Sequence, residues 1–175
     1  ISSMTGGAAA TGQLNRSLAA VAARRGLAFA VGSQRVLLER PEVLPDFAVR
    51  AAIPDGVLLG NIGAVQLAEV PLAAVVRLVE SIEADGLCVH LNPAQELAQP
   101  EGNRDFRGQL DGIARMVERL DGRVLVKETG AGLAPATLER LRSVGVTRGD
   151  GAGRGGTSWT KVELHRAAGR PEPTA

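Results

Sequence analysis

The chain has 175 residues, with 20 Lys+Arg against 19 Asp+Glu and a formal net charge of +1. That balance argues against a nucleic-acid glove or a polybasic membrane patch, so neither a nucleic-acid nor a membrane partner is expected. Phe29, Phe47, Phe106 and Trp159 are the only aromatics, too few for a base-stacking platform or an interfacial belt, and no apolar run approaches the ~18 residues of a membrane span.

Residues 1–4, Ile-Ser-Ser-Met, read as the end of a strand that begins earlier. Leu14, Leu18, Val21 and Ala22 recur at helical spacing over 14–25, and Gly26 follows as a C-terminal stop. A short apolar strand over 27–31 ends in Gly32-Ser33-Gln34-Arg35. The turn at Pro54-Asp55-Gly56 precedes a second strand, 57–60, ending in Asn61. Leu72, Val75, Val76 and Val79 predict an amphipathic helix over 72–83. A strand over 87–91 leads into a polar stretch, 92–107, read as a long loop. The single cysteine, Cys88, falls mid-strand and is expected in the core; one thiol excludes an internal disulfide and fits a reducing, cytoplasmic setting. A helix over 110–120, a strand over 123–126 ending in Lys127-Glu128, and a helix opened by Pro135 and closed before Gly145 follow. The segment 151–158 is glycine-rich, a helix begins near Trp159, and residues 167–175 read as a disordered tail behind one domain over 1–166.

Short strands, apolar on both faces and alternating with helices, imply a parallel sheet covered by helices. Polar residues recur after the strands: Thr5, Ser33, Asn61, Asn92, Lys127 and the 151–158 segment. A doubly wound sheet draws its ligand site mostly from two or three strands at a switch point, whereas strand ends all round one face are the logic of a (β/α)8 barrel. The expected fold is therefore a (β/α)8 TIM barrel. About six strands are covered where a complete barrel takes ~250 residues, so the barrel is expected to be incomplete.

The densest polar cluster is His90-Leu91-Asn92-Pro93-Ala94-Gln95-Glu96. His90 and Asn92, two apart at a strand end, share a face of the pleat and can address one phosphate together. Glu96 offers an oxygen ligand for Mg2+ and Gln95 a neutral hydrogen-bonding group. The same spacing also suits a solvated loop with His90 satisfied by backbone. Ser33-Gln34-Arg35 offers a hydroxyl, an amide and a guanidinium suited to phosphate, or an ordinary surface turn. Lys127 can hold an anionic cofactor ring or be a solvated strand-end lysine. The 151–158 loop is neither a Walker loop nor a dinucleotide fingerprint.

Several strings together resemble one family, the type 2, flavin-dependent isopentenyl diphosphate isomerases. They are Ser3-Met4-Thr5-Gly6-Gly7, Gly32-Ser33-Gln34-Arg35, Asn61-Ile62-Gly63-Ala64-Val65-Gln66-Leu67, His90 to Glu96, Gln99-Pro100-Glu101-Gly102, Asp105-Phe106-Arg107-Gly108, Val126-Lys127-Glu128 and Gly155-Gly156-Thr157-Ser158-Trp159. The resemblance implies a flavin-binding barrel that interconverts isopentenyl and dimethylallyl diphosphate, using FMN reduced by NADPH together with Mg2+, and forming a homo-oligomer when intact. It places Ser3, Met4, Thr5, Ser33, Asn61, Lys127 and Thr157 on FMN. Ser33, Gln34, Arg35, His90, Asn92 and Gln95 fall on the substrate and Glu96 on Mg2+, with Gln95, Lys127 and His90 as the catalytic set. The family's stretch before residue 1 and its last barrel strands are absent, and the sixth strand, over 146–151, is weakened by Arg148, Gly149 and Gly151. Two rival readings are an FMN-dependent 2-hydroxy-acid oxidoreductase, whose late-strand His and Arg are lacking here, and a truncated non-catalytic remnant.

Overall fold

The computed structural model describes residues 1–153, 155 and 158–169. Among them five strands, β1 (Phe29–Ala30), β2 (Leu58–Gly63), β3 (Gly86–Leu91), β4 (Val124–Glu128) and β5 (Arg148–Asp150), pair in parallel in the order β1-β2-β3-β4-β5. Spatial order follows chain order and the sheet stays open, a half-barrel wall. The helices are α1 (Ala9–Arg25), α2 (Ala64–Glu69), α3 (Leu72–Ser81), α4 (Pro93–Ala98), α5 (Gln109–Arg119), α6 (Pro135–Ser143) and α7 (Trp159–Ala168).

The core follows from the apolar runs. Leu58, Ile62, Leu87, Val89, Val124 and Val126 are buried within the central strands. Val75, Val76, Leu78 and Val79 of α3 and Ile113 and Met116 of α5 cover them. At the N-terminal strand ends Arg50 closes the wall: its Nη1 donates to Ile53 O and Gly56 O, and its Nη2 meets Asp85 Oδ2 at 2.8 Å. None of the described helices is long and apolar enough to cross a membrane.

The structure corrects the strand count from about six to five. Ile1 does make both bonds of a parallel bridge across Phe29, its N-terminus to Ala28 O at 2.5 Å and its carbonyl from Ala30 N–H at 3.1 Å. A regular ladder would next join Gly32 N–H to Ser3 O. That N–H goes to Thr5 O instead, at 2.6 Å, so two extra residues bow out and no strand forms. The close approach needs a glycine, because a Cβ on Gly32 would lie 2.4 Å from the Thr5 carbonyl.

Three further differences concern helices. The expected loop over 92–107 contains α4, too short for its period to be legible in the sequence. Residues 34–52 form three 3₁₀ turns, Gln34–Leu38, Pro41–Asp46 and Arg50–Ala52. Helix α7 runs through Ala167 and Ala168, and residues 170–175 of the expected tail lie outside the described residues.

Candidate functional site

The register sets out the site before any side chain is considered. Gly63 pairs with His90, His90 with Lys127 and Lys127 with Asp150, a row across the C-terminal ends of β2 to β5. Asn61 lies two residues before Gly63, on the face that the row shares, and Asn92 two residues beyond His90. Over this face opens a cleft of about 430 Å³, lined by Ser3, Met4, Ser33, Arg35, Asn61, His90, Asn92, Gln95, Glu96 and Lys127 among others.

Ser33 and Arg35 stand at the mouth, where the Ser33 hydroxyl caps the first 3₁₀ turn by accepting from Arg35 N–H at 3.4 Å. Asn61 is buried, and its Nδ2 donates to Cys88 O at 3.1 Å while its Oδ1 faces His90 Nδ1 at 3.1 Å. Burial, and then the positive charges of Lys127 and Arg35, lower the His90 imidazolium to about 4, so the ring is neutral near pH 7. Burial pushes the Cys88 thiol up to about 11, which leaves no thiolate beneath the site. Lys127 is buried, and its Nζ donates to Glu128 O at 2.8 Å.

Asn92 and α4 build the far wall. Asn92 Nδ2 donates to Glu96 Oε1 at 2.9 Å, and Asn103 N–H donates to Glu96 Oε2 at 2.8 Å. Both carboxylate oxygens keep a further lone pair for a cation. Among the described residues no group of three or more His, Cys, Asp and Glu is arranged to hold a metal. A hard cation on Glu96 would therefore complete its shell with ligand oxygens and water, the usual arrangement for Mg2+.

The remaining expected residues sit elsewhere. Gln34 is fully buried behind the cleft, with its amide engaged by Leu78 O and Asn61 N–H. Thr5 does not line the cleft: its hydroxyl donates to Asn15 Oδ1, and its carbonyl accepts from Asn15 Nδ2 and Gly32 N–H. Thr157 lies outside the described residues.

Glu163, Arg166, Glu128 and Gln66 are given no role by the sequence alone. Glu163 of α7 is buried at 3% exposure, accepts from Gln95 Nε2 at 3.3 Å and pairs with Arg166 Nη1 at 2.6 Å. Arg166 in turn reaches Glu101 at 3.3 Å, so α7 is tied to the α4 wall. Trp159 and Glu163 are four apart on one helix, a spacing that already puts them on one face of α7. Glu128 folds back to accept from the N–H groups of Gly130, Ala131 and Gly132, which shapes the loop after β4. Gln66 of α2 lines the cleft beside His90.

Comparison with known proteins then bears on the whole arrangement. Over 168 residues, 95% of this chain, it is 46% identical to the isopentenyl-diphosphate delta-isomerase of Nostoc sp. and 49% identical to those of Rickettsia felis and Synechococcus sp.. The chain is homologous to isopentenyl-diphosphate delta-isomerases. It spans about half of their length, 48% of the Nostoc and Synechococcus proteins and 49% of the Rickettsia felis one. No family model matches the chain.

Proposed function

We propose that this chain carries the strand-end part of the active site of an FMN-dependent isopentenyl-diphosphate delta-isomerase. The reaction interconverts isopentenyl and dimethylallyl diphosphate with Mg2+, NADPH supplies the reduced flavin, and the protein works in the cytoplasm as a homo-oligomer. The observation that carries this reading is the convergence of Ser33, Arg35, Asn61, His90, Asn92, Gln95, Glu96 and Lys127 on one cleft in a chain homologous to enzymes of that name.

The residues present fit both groups. An ammonium has three N–H donors; Lys127 directs one to Glu128 O, and the others remain for an anionic ring edge beside Asn61. A reduced flavin, when bound, supplies an electron-rich face against the positive charge that develops when an alkene gains a proton. Lys127 balances negative charge on that ring. Ser33, Arg35 and Asn92 hold the diphosphate, the guanidinium offering a two-pronged donor to its oxygens. Glu96, held by Asn92 and the Asn103 N–H, presents one carboxylate to Mg2+. Anchoring the diphosphate fixes the remote alkene, so that binding energy positions the reacting carbons. At the alkene end Gln95 is oriented by Glu163, which accepts from its Nε2 and so fixes the direction of the carboxamide.

The test is isomerisation of isopentenyl diphosphate by the FMN-loaded protein, with and without NADPH. Turnover is expected only when the flavin is reduced. Equal turnover with oxidised flavin and no reductant overturns the mechanism.

A further inference from the structure

Strand β1 stops pairing early. Its last ladder bond runs from Val31 N–H to Leu59 O at 3.1 Å, and the chain then turns away through Gly32. In a regular parallel ladder the Asn61 N–H would next donate to the Val31 carbonyl. It donates instead to Gln34 Oε1 at 3.0 Å. The other end of that carboxamide, Nε2, donates to Leu78 O of α3 at 2.8 Å. Gln34 is fully buried, and Gly60 makes its approach possible, since a Cβ there would lie 2.6 Å from Gln34 Oε1. The side chain thus stands in for the missing stretch of strand.

From Asn61 the constraint passes to His90. Asn61 Nδ2 donates to Cys88 O, a group that can only accept, so the orientation of the Asn61 amide is settled. Its Oδ1 then faces His90 Nδ1 at 3.1 Å and also can only accept, so the proton sits on Nδ1. A neutral imidazole carries one N–H, and the ring is neutral here because burial, Lys127 and Arg35 oppose its charge.

We infer that Gln34 is a positioning residue: through Asn61 it holds His90 as the Nδ1–H tautomer and leaves Nε2 as a bare acceptor in the cleft. The residues on either side of it, Ser33 and Arg35, line the cleft, so one buried amide sets the mouth and the floor together. The consequence for ligand binding, that His90 first meets a diphosphate as an acceptor, rests on the isomerase reading. The tautomer does not.

The chain has two histidines, His90 and the exposed His165, so the experiment is a long-range proton–nitrogen correlation spectrum of the histidine-labelled protein near pH 7 with no ligand added. The parent is expected to show one ring wholly as the Nδ1–H tautomer. Gln34→Met keeps the length but neither hydrogen bond, and is expected to populate both tautomers of that ring. Gln34→Glu, buried as a neutral acid, can accept from Asn61 and donate to Leu78, and is expected to restore the single tautomer. A parent spectrum with no ring wholly in the Nδ1–H form overturns the inference without any variant. So does a Gln34→Met protein that keeps a pure Nδ1–H ring. Because no ligand is present, either result is independent of whether the protein is an isomerase.

Discussion

Two of the depressions in the surface differ in kind, and the larger of the pair is the less informative. One, of about 910 Å³, is lined by residues 104–111 and Arg140, almost all from one loop and the start of α5. Its charged pair, Asp105 and Arg107, is exposed and closed on itself, with bonds of 2.8 and 2.6 Å. The strand-end cleft has less than half that volume, yet it draws on the ends of β2, β3 and β4 as well as the residues after β1 and the helices α4 and α7. Its polar groups are held by buried partners: Asn61 by Cys88, Glu96 by Asn92, Gln95 by Glu163. Convergence and fixed orientation mark a site better than volume does. A self-paired surface loop can be large and still offer a ligand no preorganised group.

Substitutions can break this contrast, starting with the largest expected effect. Gly32→Ala drives a methyl into the Thr5 carbonyl 2.4 Å away, where backbone must move. It is expected to cost about 3 kcal/mol in urea unfolding and to displace Ser3 from the cleft. Acidification comes next. Unfolded, His90 takes up a proton near its ordinary value of about 6.5, but folded it does so only near 4. Between those pH values the unfolded state binds more protons, so stability falls as pH is lowered through that window, by at most about 3 kcal/mol. Midpoints of urea unfolding across the range should show the slope in the parent and its loss in His90→Gln.

A smaller effect is expected from Glu96→Gln, which keeps the Asn103 contact but removes the charge. It should raise the Mg2+ concentration for half-maximal activity about tenfold, roughly 1.4 kcal/mol, while leaving the flavin spectrum unchanged. An unaltered Mg2+ titration removes Glu96 from that role. The smallest effect belongs to the other depression. Hydrogen bonds from Arg107 hold the Asp105 carboxyl at about 2. Arg107→Ala should let that carboxyl rise toward the ordinary range, visible in its carbon chemical shift, with no change in the urea midpoint.

How much of this is legible in the sequence follows from the range over which each signal acts. The alternation of apolar runs gives β2, β3 and β4 and the polar ends that follow them, because each run is buried on both faces. Helices α3 and α5 show their period over ten and eleven residues. Helix α4 has six residues and opens on Pro93, too little for a period to emerge. The bowed path of residues 2–4 depends on where Thr5 meets Gly32, a contact 27 residues apart that local pattern does not carry. The same holds for Gln34, which looks like a surface amide beside Ser33 and Arg35 and is instead the buried partner of Asn61. Glu163 lies 68 residues from Gln95, and their bond exists only once α7 is laid over α4.

The most direct measurement is a map of backbone amide shifts as FMN and inorganic diphosphate are added to the isotope-labelled protein. Movement is expected at Ser33, Asn61, His90, Asn92 and Lys127, with residues 104–111 silent. Shifts confined to 104–111, or none at the strand ends, would contradict the placement of the ligand in the strand-end cleft.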